Sequence, residues 1–266
     1  MSNPFTAQVG AVLSADIAVP DHEREMQFYS RVLRTGPNPP WREDLLNNLG
    51  LPIIGLGSAD GENARLPLQW MPHIQVADVA ESVRRAVELG GRDLMHAKGE
   101  DGSSQRAVLA DPNGAAFGVI PVIPEDHLPP VAVVPANVGG VGRIAWLSLT
   151  VPDAEAIRDF YTQVVGWTWQ EVQVADEAGP YADYTMRAAD GTPAAGVARA
   201  RGRDAGLPPV WLIYLPVGDL DESLRRVDEE GGKVIRRLAR DGGARDFAVV
   251  QDPVGVYLAL TQAETK

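Results

Sequence analysis

The chain has 266 residues, no cysteine and a formal net charge of −12. At about 100–200 residues per domain, that length predicts two modules. The missing cysteine excludes disulfides and thiolate chemistry, and the acidic balance without a Lys/Arg cluster excludes a nucleic-acid partner.

No apolar run reaches the roughly 18 residues of a membrane helix. Met1 to Gln8 has neither the basic nor the apolar region of a signal peptide. The expectation is a soluble, cytoplasmic protein without membrane contact.

Residues 11–20 predict the first strand, and Ile144 to Pro152 is its second version. Val19-Pro20-Asp21 recurs as Val151-Pro152-Asp153, and Phe28-Tyr29 as Phe160-Tyr161, at an offset of 153 − 21 = 132. In both places the Asp predicts a helix cap. Met26, Tyr29 and Leu33 share one helical face, as do Ile157, Phe160, Tyr161 and Val164. These aromatics read as core.

The copies then diverge. Pro37 to Gly50 holds prolines followed by a helix-like polar-apolar run. The second copy is 9 residues longer between its first helix and Pro193. It reads there as strands, Thr168 to Val174 and Tyr184 to Ala188, around a turn.

The clearest repeat follows. Trp70 matches Trp211, Asp78 matches Asp219, Arg84-Arg85 matches Arg225-Arg226, and Gly90-Gly91 matches Gly231-Gly232, all at an offset of 211 − 70 = 141. A constant offset across a strand, a cap, a helix and its stop marks a tandem duplication. Asp with Glu three residues on predicts the helix start, Val79, Val83 and Val87 an apolar stripe, and the glycines its end. Polar stretches come next, Lys98 to Gln105 and Ala239 to Arg245. Asp111-Pro112-Asn113-Gly114 and Asp252-Pro253-Val254-Gly255 have turn chemistry and read as hairpin turns only. Pro121 to Gly142, with prolines at 121, 124, 129, 130 and 135, predicts an extended linker.

The Val-Pro-Asp…Phe-Tyr openings, Val165-Gly166-Trp167, the Val-x-Asp…Gly-Gly segments and the two Asp-Pro-x-Gly turns, found in order and twice, resemble the vicinal oxygen chelate superfamily. That superfamily includes glyoxalases, bleomycin-resistance proteins and extradiol dioxygenases. The resemblance implies an α+β fold of two tandem βαβββ modules, residues 10–122 and 142–263, joined by a Pro-rich linker at 123–141. Their curled mixed sheet is expected to form a cup, with the helices outside it. Metal-using members place His or Glu at positions that hold Ser14, Met71 and Gly118 in the first copy. The second copy has Trp146, Leu212 and Ala259 there. None is an ordinary ligand for a divalent ion, so no metal and no cofactor are expected.

Strand alternation turns Ser14, Asp16, Met71, His73, Gln75, Trp146, Ser148, Tyr214 and Tyr257 into the cup. Trp70 and Trp211 alternate outward into the core. Trp41, in the divergent segment, is expected over the mouth, and Tyr184 on the extra strand. Asp16 and His73 form a polar pair able to act as a base and its partner or to anchor a ligand, or else a hydrogen-bonded buried pair. His22, His96 in a loop and His127 are expected at the surface. Trp41, Trp146, Tyr184, Tyr214 and Tyr257 together suit a planar aromatic ligand.

Two functions are therefore expected. One is a metal-independent protein that binds a planar aromatic natural product, for drug sequestration, resistance or an auxiliary role in secondary metabolism. The acidic surface weakly favours cationic examples. The alternative is a tailoring enzyme of the same superfamily, catalysing an isomerase, lyase or oxygenase-type step with Asp16 and His73 as acid and base. The expected assembly is a monomer with paired modules or a homodimer.

Overall fold

The computed structural model describes residues 6–128, 141–238 and 246–263. Most of the expected linker, 129–140, and the polar stretch 239–245 lie outside the described residues. The first half runs β1 (Val12–Val19), α1 (His22–Leu33), β2 (Ile54–Ser58), β3 (Met71–Val76), α2 (Val79–Glu88), β4 (Arg92–Lys98), β5 (Ser104–Ala110) and β6 (Ala116–Pro121). The second runs β7 (Trp146–Val151), α3 (Ala154–Val165), β8 (Thr168–Asp176), β9 (Gly179–Arg187), β10 (Pro193–Arg199) and β11 (Trp211–Val217). It ends with α4 (Leu220–Glu229), β12 (Lys233–Leu238), β13 (Phe247–Gln251) and β14 (Tyr257–Gln262).

Each half makes its own mixed sheet. The second has the order β12-β13-β14-β11-β7-β10-β9-β8. Antiparallel β7 and β11 form its centre, and parallel β10 and β14 flank them. A strand-helix-three-strand unit thus occurs twice within this one sheet. The first sheet, β2-β1-β3-β6-β5-β4, keeps the centre, but β2 alone stands where the other sheet has three strands.

The segment Pro37 to Gly50, expected to be helix-like, is turns without a helix. Its side chains hold it that way. Asn47 Oδ1 accepts from the Leu49 and Leu51 N–H groups, and its Nδ2 donates to Gly142 O at 2.9 Å. Leu45 takes a left-handed φ of 61°, and local side-chain hydrogen bonds of this kind compete with helix formation.

Helices α1 to α4 start as the sequence predicts. Asp21, Asp78, Asp153 and Asp219 each accept a hydrogen bond from the N–H three residues on. Gly90 and Gly231 stop α2 and α4 at φ 87° and 84°. The stripe on α2 is different, because Val87 is exposed while Ser82 and Ala86 are buried with Val79. Small residues are needed there. α2 packs on α3 closely enough for Ser82 Oγ to donate to Val164 O at 2.7 Å, and Ser223 on α4 does the same to Val32 O on α1 at 2.8 Å.

Helices therefore pair across the duplication, α1 with α4 and α2 with α3. They lie outside each sheet's hollow but inside the molecule. Two buried chains of hydrogen bonds join the halves. Trp70 Nε1 donates to Tyr29 Oη at 3.2 Å, and Tyr29 Oη donates to Asp252 Oδ2 at 2.9 Å. Reciprocally, Trp211 Nε1 donates to Tyr161 Oη at 2.9 Å, which donates to Asp111 Oδ2 at 3.4 Å. The Asp-Pro-x-Gly turns are thus more than hairpin turns. One oxygen of each Asp caps its own turn, accepting from Asn113 and Ala115 or from Val254 and Val256. The other oxygen reaches a helix of the opposite half. Among the described residues, no helix is long and apolar enough to cross a membrane.

Candidate functional site

The sequence expectation gathers the inward residues into one cup. The structure separates them into two hollows that share no residue. One, of about 290 Å³, belongs to the first sheet, and the other, of about 280 Å³, to the second. Each lies on the sheet face turned away from the helices.

Asp16, Met71 and His73 line the first hollow, with Arg106, Asn63 and Met95. Ser14 and His73 are cross-strand partners on β1 and β3. Ser14 Oγ lies 3.1 Å from His73 Nδ1, and Asp16 Oδ2 lies 3.5 Å from His73 Nε2. Ser14 does not line the hollow and holds the ring from behind. Burial lowers the His73 pKa, Arg106 lowers it further, and Asp16 opposes both. In the neutral ring, the consistent arrangement is Nε2–H toward Asp16 and Nδ1 accepting from the Ser14 hydroxyl. At 3.5 Å the Asp16 contact is electrostatic rather than a tight hydrogen bond.

Two glycines make this arrangement possible, Gly118, which sequence reasoning noted only as a position without a ligand, and Gly55, to which it gave no role. A Cβ on Gly118 would lie 2.4 Å from His73 Cδ2, and one on Gly55 would lie 2.4 Å from Asp16 Oδ1. Glycine inside a strand signals close approach of another group, and that signal was available at both positions.

Trp146, Ser148 and Tyr214 meet in the second hollow, joined by Phe247, Asp183 and Asp204. Ser148 Oγ donates to Tyr214 Oη at 3.2 Å, and the Tyr214 and Phe247 ring centroids are 5.2 Å apart. Trp146 lies over Gly196 of β10, whose Cβ position is 3.4 Å from the indole. Tyr184 borders this hollow, but its ring sits 4.6 Å from the Arg158 guanidinium of α3 and edge-on to Trp169. Burial raises the pKa of both Asp183 and Asp204. Sequence reasoning missed Asp183 because it began this strand at Tyr184, whereas β9 begins at Gly179 and carries Asp183 within it.

Three expected residues lie elsewhere. Trp41 does not cover a mouth. It is 1% exposed, and its Nε1 donates to Pro216 O of β11 at 2.8 Å, so it packs between the halves. Gln75 is fully buried and structural. Its Nε2 donates to Thr6 O and its Oε1 accepts from Ile123 N, both at 2.9 Å. Tyr257 packs beside the aromatic cluster without lining the hollow. His96 is on β4 rather than in a loop, 2.8 Å from Ser104 Oγ.

The six positions that the family resemblance marks for metal ligands do not fit a metal ion. In the second sheet Trp146, Leu212 and Ala259 offer no ordinary donor. In the first, Met71 and Gly118 leave Ser14 alone, and His73 and Asp16 make only two strong ligands. No three His, Cys, Asp or Glu side chains converge among the described residues.

Comparison with known proteins agrees with the duplication. The family described as Glyoxalase/Bleomycin resistance protein/Dioxygenase superfamily matches residues 143–260, and a glyoxalase-like domain matches residues 13–120. The anthracycline biosynthesis protein DnrV of Streptomyces peucetius is 34% identical over 131 residues, covering 45% of this chain and 46% of that protein. The chain thus matches about half the length of this curated relative. Among solved structures, the Mn(II)-bound glyoxalase from Novosphingobium aromaticivorans gives a TM-score of 0.55 at 14% identity, over 97% of this chain and 83% of that one. A mutant of 4-hydroxymandelate synthase from Streptomyces coelicolor gives 0.55 at 13% identity, over 97% and 93%. At such identities the likeness is one of fold.

Proposed function

We propose that this chain, which belongs to the glyoxalase/bleomycin resistance protein/dioxygenase superfamily, binds a planar aromatic natural product in the hollow of its second half without a metal ion. The observation that carries this reading is the wall formed by Trp146, Tyr214 and Phe247 beside the cavity. Rigid flat side chains with polar edges suit a flat ring system. At about 280 Å³ the hollow lies at the small end for ligand sites, so it takes part of a polycyclic molecule and leaves the remainder at the open mouth. Similarity to a protein of anthracycline biosynthesis supports a role in secondary metabolism, since anthracyclines are fused planar aromatics.

The test is titration with planar aromatics, followed by tryptophan quenching. Trp146→Ala should weaken binding by about 1–3 kcal/mol, the usual loss for an aromatic anchor. Unchanged affinity in that variant would place the ligand elsewhere. Elemental analysis should find no stoichiometric divalent metal, and a chelator should leave binding intact. A chelator-sensitive ion at about one per chain would overturn the metal-free reading.

A second reading has its own observation, the Ser14–His73–Asp16 line in the first hollow. There Asp16 would accept a proton from a bound substrate while His73, oriented by Ser14, holds the carboxylate in place. Because the hollows are separate, the readings separate cleanly. Asp16→Asn or His73→Ala should abolish turnover and leave aromatic binding in the second hollow untouched. Turnover surviving both substitutions would remove the enzyme reading.

A further inference from the structure

We infer that the ligand of the second hollow carries a cationic amine beside its flat ring system. This rests on reading that hollow as an aromatic-binding site and names the chemical class it selects.

The hollow has two chemically different sides. Trp146, Tyr214 and Phe247 come from β7, β11 and β13. Asp183 comes from β9 and Asp204 from the 3-10 turn Gly202–Asp204 after β10. In the order β13-β14-β11-β7-β10-β9, the aromatic groups start from the centre and one wing, and Asp183 from the other wing. A ring lying on the aromatic side therefore points one edge at the carboxylates.

The neighbouring cations do not fill this role. Arg199 gives Asp183 only its backbone N–H, at 2.8 Å, while its guanidinium reaches toward Glu155 of α3 at 3.9 Å. Arg201 is committed to Asp176 at 2.7 Å and stacks on Tyr181. Arg203 also lines the hollow and lies 3.7 Å from Asp204, with its side chain 66% exposed and directed to solvent. Arg236 donates to the carbonyls of Arg203 and Ala205, which fixes the turn that carries Asp204, and its charge acts on that carboxylate from outside the hollow's lining. Among the charged side chains that line the hollow, two carboxylates stand against the single guanidinium of Arg203, so the lining carries a net negative formal charge. Burial already disfavours charge on both, and a bound ammonium would relieve that cost through charge-assisted hydrogen bonds. The first hollow has no Trp, Tyr or Phe in its lining and sets Arg106 and His73 beside its single Asp, so it offers no equivalent site.

A matched series tests the inference. Pyrenemethylamine, pyrenemethanol and pyrenecarboxylate share one ring and differ in charge, and binding can be read by fluorescence anisotropy. The amine should bind about ten-fold more tightly than the alcohol, and the carboxylate most weakly. Asp183→Asn with Asp204→Asn should erase the amine's advantage over pyrenemethanol measured on the same variant, and binding of pyrenemethanol by that variant shows that the hollow is intact. Glu43→Gln with Glu100→Gln, on the exposed surface of the first half, removes the same charge and should keep the advantage. Equal binding of amine and alcohol overturns the inference alone, as does an advantage that survives the double Asp substitution. Failure of all three probes to bind overturns the aromatic reading and the inference with it.

Discussion

Glu25 should make the protein lose stability as pH rises. It is on α1 and fully buried, with its carboxyl group beside that of Asp252. Burial, and then the nearby Asp252 carboxylate, push its pKa from 4.5 up to about 8. The native protein therefore keeps a proton that the unfolded chain releases near pH 4.5. The stabilisation is complete below that pH and disappears progressively as pH climbs toward about 8. At about 1.4 kcal/mol per pH unit for one proton, the loss reaches about 3–5 kcal/mol. That is a large share of the 5–15 kcal/mol typical of a folded domain.

Glu25→Gln isolates the effect, because Gln keeps the shape and cannot ionise. Urea unfolding of both proteins at intervals from pH 4.5 to 8.5 should give nearly equal free energies at the acid end. At the alkaline end the variant should be the more stable by about 3–5 kcal/mol. Taking the difference at each pH cancels the titrating groups that do not touch Glu25 and leaves the Glu25–Asp252 pair. The duplication indicates what the site otherwise holds, since 25 + 132 falls on Ile157, buried in the apolar core. Parallel stability curves for wild type and variant would refute the reasoning.

Gly118→Ala should push the His73 ring off β6 and out of the contacts that lower its pKa. The imidazole, followed by NMR, should titrate higher than in wild type, and an unchanged titration would show that the ring does not need the space. Tyr161→Phe should remove the hydroxyl between Trp211 and Asp111 and cost about 1–3 kcal/mol by denaturant unfolding, since both partners are left buried. A cost within experimental error would mean that this chain does not tie the halves. Asp111, whose pKa burial raises to about 6, should act in the same sense as Glu25: its contribution is complete below the usual Asp range and lost as pH rises to about 6. Asp111→Asn should accordingly flatten the pH dependence of stability between about pH 4 and 6, and an unaltered slope there would count against it.

The duplication, caps, stops and cores of the two halves were legible because each depends on spacing within one segment. Asp78 and Gly90 bracket α2 whatever packs on it. The face of α2 was not legible in the same way. Val79, Val83 and Val87 are the apolar residues, yet the close approach of α3 selects Ser82 and Ala86, and only the partner helix decides that. Trp41 failed for a similar reason. An aromatic in a divergent loop looks like a lid until Pro216 O of the other half appears beside its indole N–H. Alternation correctly sent Asp16, His73, Trp146, Ser148 and Tyr214 to the hollow side of their strands. It carries no information on whether two sheets enclose one hollow or two.

That last distinction decides what the duplication can do. The halves share their interior. Tyr29 depends on Asp252, Tyr161 on Asp111, and each Asp also holds the turn of its own sheet. A change in this layer is felt by both copies, which fits the matching Trp, Tyr and Asp at corresponding positions. The hollows lie on the far side of each sheet and share no residue, so a substitution in one leaves the other intact. One has lost the wing equivalent to β8 and β9 and holds a histidine between Ser14 and Asp16. The other keeps the full wing and with it Asp183, facing the hollow edged by Trp146 and Tyr214. A common layer tied by reciprocal hydrogen bonds is thus what lets two copies of one fold carry different chemistry on their outer faces.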